Sequence, residues 1–202
     1  MTITPNEIET MQPVIDAAKG KVITFGLGLG YFPYMTSEKQ EVSSVTVVEK
    51  DVKVIRLFQK YILPQFPHPE KVSIIPMDAF EYIEKHSENE KYDLAFADLW
   101  HDVSDGLDCY LRMKKLERYH YAGKYFYWIE DSMLSHLRWY VFQELLKEKR
   151  AANTSNLPIV FKSRSIHDFN EFSYYLSNPF LKELACEISG APRGRGYWLH
   201  KL

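Results

Sequence analysis

Residues 21–31 read KVITFGLGLGY, an apolar run followed by three glycines at alternate positions. The β-branched residues of this run predict a short buried strand at 22–25. Gly26, Gly28 and Gly30 would let the backbone turn sharply after that strand and approach a ligand that any Cβ would block. The stretch therefore predicts a strand and a glycine turn that bind a nucleotide-like cofactor. A tight strand-to-helix turn without a ligand is the alternative.

Further apolar segments flank this strand and alternate in type along the chain. The residue patterns predict strands at 22–25, 45–48, 72–75, 92–97 and 125–129. They predict helices at about 8–15, 54–62, 79–86, 107–119 and 134–146, and one after the glycines with Pro33 in its first turn. Strands that alternate with helices at short intervals are typical of a parallel sheet covered on both faces. We therefore predict a single α/β domain with a Rossmann-like, doubly wound, mostly parallel sheet and helices on both faces.

The ends of the chain are organised differently from its middle. Residues 1–20 predict an N-terminal helix, capped by Thr4 or Asn6, that covers the site, and residues 21–202 form the Rossmann-like domain. A long amphipathic helix capped by Asp131 or Ser132 follows the fifth strand. Beyond residue 157 the sequence suggests further strands and a helix, but it does not give their order.

Composition limits the classes of partner. The chain has 202 residues, a net charge of −2 and 46% hydrophobic residues, so it lacks the positive charge typical of proteins that bind nucleic acid or anionic membranes. No apolar run approaches the roughly 20 residues that cross a bilayer. The N-terminal residues lack the features of a signal peptide. Cys109 and Cys186 have no metal-site spacing, and we expect two buried, reduced thiols rather than a disulfide. We expect a cytoplasmic protein with a small-molecule substrate. Whether it forms a homodimer stays open.

An acidic residue follows the second predicted strand. Glu49 comes nineteen residues after Gly30, where a carboxylate can accept hydrogen bonds from ribose hydroxyls. Asp51 is the rival acid, two residues further on. The dinucleotide pattern G-x-G-x-x-G fails in both registers, because Tyr31 and Pro33 stand where the third glycine belongs. A ligand with one nucleoside and no pyrophosphate fits better.

Four runs carry a resemblance to a known family. They are VITFGLGLGYF at 22–32, VTVVEKDVKVIRLFQKYILP at 45–64, VSIIPMDAFEYI at 72–83 and YDLAFADLW at 92–100. In this order and spacing they resemble class I S-adenosylmethionine-dependent methyltransferases, and among these most closely the spermidine synthase branch. The resemblance covers about residues 20 to 100 and implies S-adenosylmethionine as the cofactor.

The resemblance implies roles for the residues at the first two strand ends. Gly26, Gly28 and Gly30 would line the methionine and ribose parts of the cofactor, and Glu49 would hold the ribose hydroxyls. Carboxylates suit diols on chemical grounds as well, because an ionised carboxyl accepts hydrogen bonds with both oxygens.

The next two strand ends complete the implied cofactor site. Asp78, followed by Ala79, would accept a hydrogen bond from the exocyclic amine of adenine. Asp98 would face the amino end of the cofactor or the acceptor, where its charge would offset that of the sulfonium. The structural alternative for Asp78 is the N-cap of the helix at 79–86, and one residue can serve in both ways.

Three positions depart from the family patterns. Thr24 stands where many methyltransferases carry an acid, Leu29 where spermidine synthases carry an aspartate in the glycine loop, and His101 where they carry a second aspartate. Methyl transfer to a small molecule is therefore our first hypothesis. Aminopropyl transfer is the second, and a non-catalytic nucleoside-binding domain is the third.

The residues after the fourth strand are candidates for catalysis. Besides Asp98, either His101 or Asp102 could act as a general base on the acceptor, and the alternative is a surface loop. Asp98 and the Glu130-Asp131-Ser132 run could instead hold Mg²⁺ through oxygen ligands. Since Asp131 reads more simply as a helix cap, we predict no metal.

Overall fold

The computed structural model of this chain describes residues 3–86 and 90–152. These residues fall into two units that divide between Met133 and Leu134. The sheet and all the predicted site residues lie in the first unit. The elements suggested beyond residue 157 lie outside the described residues. The domain boundary at residue 20 stays a prediction.

Five strands form one sheet in the order β3-β2-β1-β4-β5, and every neighbouring pair is parallel. Their bounds are β1 Gly20–Phe25, β2 Val42–Glu49, β3 Val72–Pro76, β4 Leu94–Ala97 and β5 Tyr125–Tyr127. This is the order of the first five strands of the doubly wound Rossmann arrangement. The predicted Rossmann-like α/β fold is confirmed.

Helices connect the strands as the sequence pattern predicts. They are α1 Pro5–Ala17, α2 Tyr31–Ser37, α3 Val52–Leu57, α4 Ala79–His86, α5 Val103–Leu116 and α6 Glu130–Ala152. A π-helical turn at Phe58–Ile62 continues α3, and short 3-10 turns follow it and α5. None of the helices in the described residues is long and apolar enough to cross a membrane.

Two helix starts differ from the prediction. Helix α5 begins at Val103 rather than near residue 107, because Asp102 and Asp105 form a reciprocal capping box. Helix α6 begins at Glu130, so the prediction that Asp131 or Ser132 caps it is wrong. In α1 the cap is Thr4, one of the two predicted candidates, and its hydroxyl accepts a hydrogen bond from the Glu7 amide.

Side chains pack on both faces of the sheet. On one face the rings of Phe32 and Phe96 lie 4.5 Å apart, in a core that α1 and α2 share with the strands. On the other face the centroids of Phe25 and Tyr82 lie 6.4 Å apart. Because side chains alternate along a strand, the continuous apolar runs that the sequence shows are those of strands buried on both faces.

The chain reverses its direction of winding between β1 and β4. The Gly26 amide donates to the carbonyl of Val48, and the Asp98 amide donates to the carbonyl of Phe25, both at 2.9 Å. These bonds bring the carboxyl ends of β2, β1 and β4 together. Ligands of open α/β sheets bind at such a switch point.

Candidate functional site

A cavity of about 390 Å³ opens at the carboxyl ends of the strands. Its size lies within the range of small-molecule sites. Seven of the nine predicted site residues line it: Gly26, Gly28, Glu49, Asp78, Ala79, Asp98 and His101. Gly30 and Asp102 are not among the lining residues. The structure thus brings together residues that lie up to 75 positions apart in the sequence.

The three glycines of the loop have different surroundings. A Cβ on Gly26 would lie 2.1 Å from the carbonyl oxygen of Asp98, and one on Gly30 would lie 2.2 Å from the ring of Phe58. A Cβ on Gly28 would meet no described atom within 4 Å. Gly26 thus allows two strand ends to approach each other, and Gly30 allows α2 to pack on Phe58. Of the three, Gly28 leaves open space beside the cavity.

Glu49 joins the end of β2 to the glycine loop. Its Oε2 accepts a hydrogen bond from the Leu27 amide at 3.0 Å, and its Oε1 accepts one from the Asp51 amide at 2.8 Å. An ionised carboxylate has about four acceptor positions, so each oxygen keeps one for a ligand. The rival acid Asp51 is the N-cap of α3 and does not line the cavity.

Asp78 caps α4 and also lines the cavity. Its Oδ1 accepts hydrogen bonds from the amides of Phe80 and Glu81, at 2.9 and 3.4 Å. Its Oδ2 accepts none from the described residues, so this oxygen can still accept a hydrogen bond. The two interpretations of Asp78, helix cap and ligand contact, are therefore compatible.

Asp98 is the most perturbed acid of the cavity. Burial, together with the nearby charge of Glu7, raises the pKa of the Asp98 carboxyl to about 7. Its side chain accepts no hydrogen bond from the residues at 3–86 and 90–152. A carboxyl with a pKa near neutrality can take up and release a proton under working conditions, which general acid–base catalysis requires.

We expect Asp98→Asn to stabilise the protein, and to do so more at pH 8 than at pH 5. Because the folded-state pKa lies above the ordinary value, the folded state holds a proton that the unfolded chain loses from about pH 4 upward. Wild-type stability therefore falls as the pH rises from about 4 to about 7. The full increase in the pKa of Asp98, from 3.8 to about 7, corresponds to about 4 kcal/mol of lost stability. Partial exposure of the carboxyl reduces the expected gain at pH 8 to about 2 kcal/mol.

Urea unfolding of both proteins at pH 5 and pH 8 measures this gain. Asp102→Asn is the matched control, because hydrogen bonds from Ser104 lower the pKa of Asp102 and its ionised form stabilises the folded state. This control should lose stability at pH 8. An equal gain for Asp98→Asn at both pH values would show that the pKa of Asp98 is not raised.

Asp102 has a structural task that argues against its predicted role as a base. Its Oδ1 accepts hydrogen bonds from the amide and the hydroxyl of Ser104, both at 2.6 Å, at the start of α5. The carboxylate of Asp105 in turn accepts from the amides of His101 and Asp102. His101 lines the cavity beside Asp105, whereas Asp102 is exposed outside it.

Several lining residues carry no functional signal in the sequence. They include Glu7, Ile8 and Met11 of α1, Leu29 of the glycine loop, Lys50, and Trp128 after β5. The motif Thr4-x-x-Glu7 does reveal a capping box, and Glu7 Oε2 accepts from the Thr4 amide at 2.7 Å. The sequence predicts that a helix within residues 1–20 covers the site, but no local signal gives which of its side chains line the cavity.

The proposed oxygen ligands of a metal lie apart from one another. Glu130 accepts a hydrogen bond from the Tyr110 hydroxyl at 2.9 Å and lies 3.5 Å from the Lys114 ammonium. Neither Glu130 nor Asp131 lines the cavity that contains Asp98. Within the described part of the chain, no three His, Cys, Asp or Glu residues are grouped so that they could hold a metal ion.

The solved structures that match this chain are similar to it in fold alone. A putative O-methyltransferase from Klebsiella pneumoniae aligns with a TM-score of 0.43 and 17% identity, over 58% of this chain and 52% of its own. A SAM-dependent methyltransferase from Agrobacterium tumefaciens aligns with a TM-score of 0.40 and 17% identity, over 48% of this chain and 32% of its own. Spermidine synthase from Thermotoga maritima aligns with a TM-score of 0.36 and 21% identity, over 48% of this chain and 33% of its own.

This chain thus spans about half of the first of these structures and about a third of the other two. No protein-family model and no curated protein sequence matches it. The class that the strand order defines is a Rossmann-like α/β protein, the fold expected from the resemblance to class I methyltransferases. Its activity is a separate question, which depends on the chemistry of the cavity.

Proposed function

We propose that this protein is an S-adenosylmethionine-dependent methyltransferase that acts on a small molecule. One observation carries the proposal. Three carboxylates, Glu49, Asp78 and Asp98, lie at or just after the ends of three strands and line one cavity beside the glycine loop. Along the edge of the sheet the order is Asp78 at β3, Glu49 at β2 and Asp98 at β4. Acceptors suited to an amine, a diol and a cation therefore follow one another along this edge.

The described residues fit such a cofactor. Glu49 keeps free acceptor positions for ribose hydroxyls, and Asp78 Oδ2 is available for an amine, with Phe80 beside it in the lining. The amides of Gly28 and Leu29 donate to no acceptor within the described residues, and both residues line the cavity. They are suited to the carboxylate of the methionine part.

When bound, the cofactor would supply a methyl group on a positively charged sulfur, which would leave with the electron pair of the carbon–sulfur bond as the acceptor bonds to the methyl carbon. The protein's contribution is to position the reactants and to supply charge. Asp98, with a pKa near 7, can accept a proton from the acceptor, and Glu7 adds a second negative charge nearby. The buried Trp100 has a structural task, because its indole donates to the carbonyl of Trp128 at 3.1 Å.

Charge also favours a second candidate, aminopropyl transfer. Five acidic residues line the cavity, whereas the basic ones are one lysine and one histidine; they are Glu7, Glu49, Asp78, Asp98, Asp105, Lys50 and His101. An acidic cavity attracts a ligand of higher positive charge. The decarboxylated cofactor has lost its carboxylate and is such a ligand.

Calorimetry with three ligands tests these functions. We expect S-adenosylmethionine and S-adenosylhomocysteine to bind with dissociation constants at or below about 100 μM, because the diol and the amine would each donate charge-assisted hydrogen bonds to a carboxylate. If the decarboxylated cofactor binds more than about tenfold tighter than S-adenosylmethionine, aminopropyl transfer replaces methyl transfer as the function. No binding of any of the three would overturn both.

Turnover separates an enzyme from a binding domain. Release of S-adenosylhomocysteine in the presence of small-molecule acceptors, followed by mass spectrometry, supports methyl transfer. Tight binding without turnover across a broad set of acceptors would assign the chain to the non-catalytic alternative. A cytoplasmic location and a homodimer stay predictions.

A further inference from the structure

Phe80 lies at the start of helix α4, beside the acid that is suited to an amine. Its amide donates to Oδ1 of Asp78 at 2.9 Å, so the carboxylate and the aromatic ring belong to the same turn of the backbone. Both residues line the cavity. A planar group that donates a hydrogen bond to Asp78 can therefore also contact the side chain of Phe80. The adenine base of the proposed cofactor is planar and carries such an amine.

A cation from helix α5 covers the Phe80 ring. The central carbon of the Arg112 guanidinium lies 3.8 Å from the ring centroid, well within the roughly 6 Å of a cation–π contact. Arg112 is exposed and does not line the cavity, whereas Phe80 is half-buried and does. The guanidinium therefore covers the ring from outside the cavity and leaves the rest of this side chain to the lining.

The positive charge of Arg112 also acts close to the cavity wall. Cys109 lies one turn before Arg112 on α5 and lines the cavity. Burial raises the pKa of the Cys109 thiol, and the charge of Arg112 opposes this shift. Among the ion pairs between residues that the structure describes, none involves Arg112, so no neighbouring acid holds the guanidinium over the ring.

We infer that Arg112 is a positioning residue that holds the Phe80 ring in place for the adenine base of the cofactor. This inference rests on the proposed function. A side chain that is already ordered costs a ligand less entropy on binding than one that the ligand itself must immobilise. Arg112 thus contributes to the affinity through Phe80, without touching the ligand.

Calorimetry with S-adenosylhomocysteine tests the inference on Arg112→Ala. We expect the affinity to fall about three- to fivefold, the factor that corresponds to ordering one side chain. The affinity for S-ribosylhomocysteine, measured by competition, should stay unchanged, because this probe keeps the ribose and the homocysteine but has no base. Arg112→Lys should recover part of the loss, because an ammonium group also binds the face of a ring.

Arg118→Ala is the matched control. Arg118 is also exposed, and its guanidinium carbon lies 4.9 Å from the ring centroid of Tyr119, so this variant removes the same charge and the same kind of contact. Neither Arg118 nor Tyr119 lines the cavity. The affinity for S-adenosylhomocysteine should therefore not change in this variant.

A double-mutant cycle shows whether Arg112 acts through the ring. In protein that already carries Phe80→Leu, Arg112→Ala should have no further effect on the affinity, because no aromatic face is left to cover. Equal effects of Arg112→Ala in both backgrounds would show that Arg112 acts on the ligand in another way, which overturns the inference.

The outcomes separate this inference from the function on which it rests. If wild type fails to bind S-adenosylhomocysteine, the proposed function fails and the role of Arg112 fails with it. If wild type and Arg112→Ala bind it equally well, the cofactor site stands and the inference is overturned. The inference is also overturned if Arg118→Ala loses as much affinity, if S-ribosylhomocysteine is weakened as much as S-adenosylhomocysteine, or if Arg112→Lys binds no better than Arg112→Ala.

Discussion

Replacing Glu49 with alanine is expected to weaken the binding of S-adenosylhomocysteine about a hundredfold or more. The carboxylate has acceptor positions free for two ribose hydroxyls, and hydrogen bonds to a charged group contribute about 1.5 to 3 kcal/mol each. Two such bonds correspond to a factor of at least about a hundred in affinity. The loss is expected to extend to adenosine, which carries the same diol. Calorimetry measures both.

The same substitution also removes the two hydrogen bonds that Glu49 accepts from the amides of Leu27 and Asp51. A displaced glycine loop could therefore weaken binding without any contact between Glu49 and the ribose. Comparison of adenosine with 2′,3′-dideoxyadenosine separates the two causes, as a double-mutant cycle does. If Glu49 holds the diol, wild type prefers adenosine, and Glu49→Ala loses that preference.

Asp51→Ala is the matched control for this experiment. Asp51 is two residues from Glu49, but it caps α3 by accepting from the Lys53 amide at 2.8 Å. Its loss should cost about 1 kcal/mol of stability, as for other N-caps, and leave the affinity unchanged. Equal losses of affinity in the two variants would show that Glu49 acts on the loop rather than on the ligand.

The fold could be predicted from local patterns because those patterns decide it. Runs of β-branched residues such as Val45 to Val48 fit strands buried on both faces, and the short stretches between them leave room for one helix each. Parallel neighbours then follow, since each helix returns the chain to the same end of the sheet. The strand ends, with Glu49, Asp78 and Asp98, are fixed by the same patterns.

Long-range proximity could not be predicted in this way. Glu7 influences Asp98 because α1 packs through Val14 and Ile15 on the sheet and because Lys39 donates to the carbonyls of Ile15 and Asp16. Nothing in the residues around Glu7 encodes that arrangement.

The role of an acidic residue also depends on which groups surround it in the fold. Asp102 has the residue type of a base, but the neighbouring amides use its carboxylate as a cap.

The glycine loop shows the same limit most clearly. A glycine needed for close packing and a glycine needed for a ligand look alike in a sequence, because each merely lacks a side chain. The structure separates them by what a Cβ would meet. Gly30 would meet Phe58, Gly26 would meet the backbone of Asp98, and Gly28 would meet nothing. This difference leads to opposite expectations for two substitutions in one loop.

Gly26→Ala is expected to lower the free energy of unfolding by about 3 kcal/mol or more. Gly26 has a φ of 97°, outside the range that an alanine adopts comfortably, and its Cβ would lie 2.1 Å from the Asp98 carbonyl oxygen. Because that oxygen is backbone, β1 and β4 must separate to make room. The Gly26 amide bond to Val48 and the Asp98 amide bond to Phe25 would both be strained.

Gly28→Ala should behave differently, although it changes the same residue type two positions away. Its φ of 54° lies in the left-handed region, which costs alanine about 1 kcal/mol, and the added methyl group has open space. The protein should stay folded while the methyl group hinders a ligand at the cavity wall, so the affinity for S-adenosylhomocysteine should fall more than the stability. Urea unfolding and calorimetry on both variants measure the two effects.

If Gly28→Ala binds S-adenosylhomocysteine as wild type does, the backbone at Gly28 does not approach the ligand. The loop would then be a tight strand-to-helix turn that binds no ligand. If Gly26→Ala is as stable as wild type, β1 and β4 can separate at no cost, and the switch point is not the rigid frame of the site. Separate losses, of stability at Gly26 and of affinity at Gly28, would instead mean that one short motif serves the fold and the ligand through different residues.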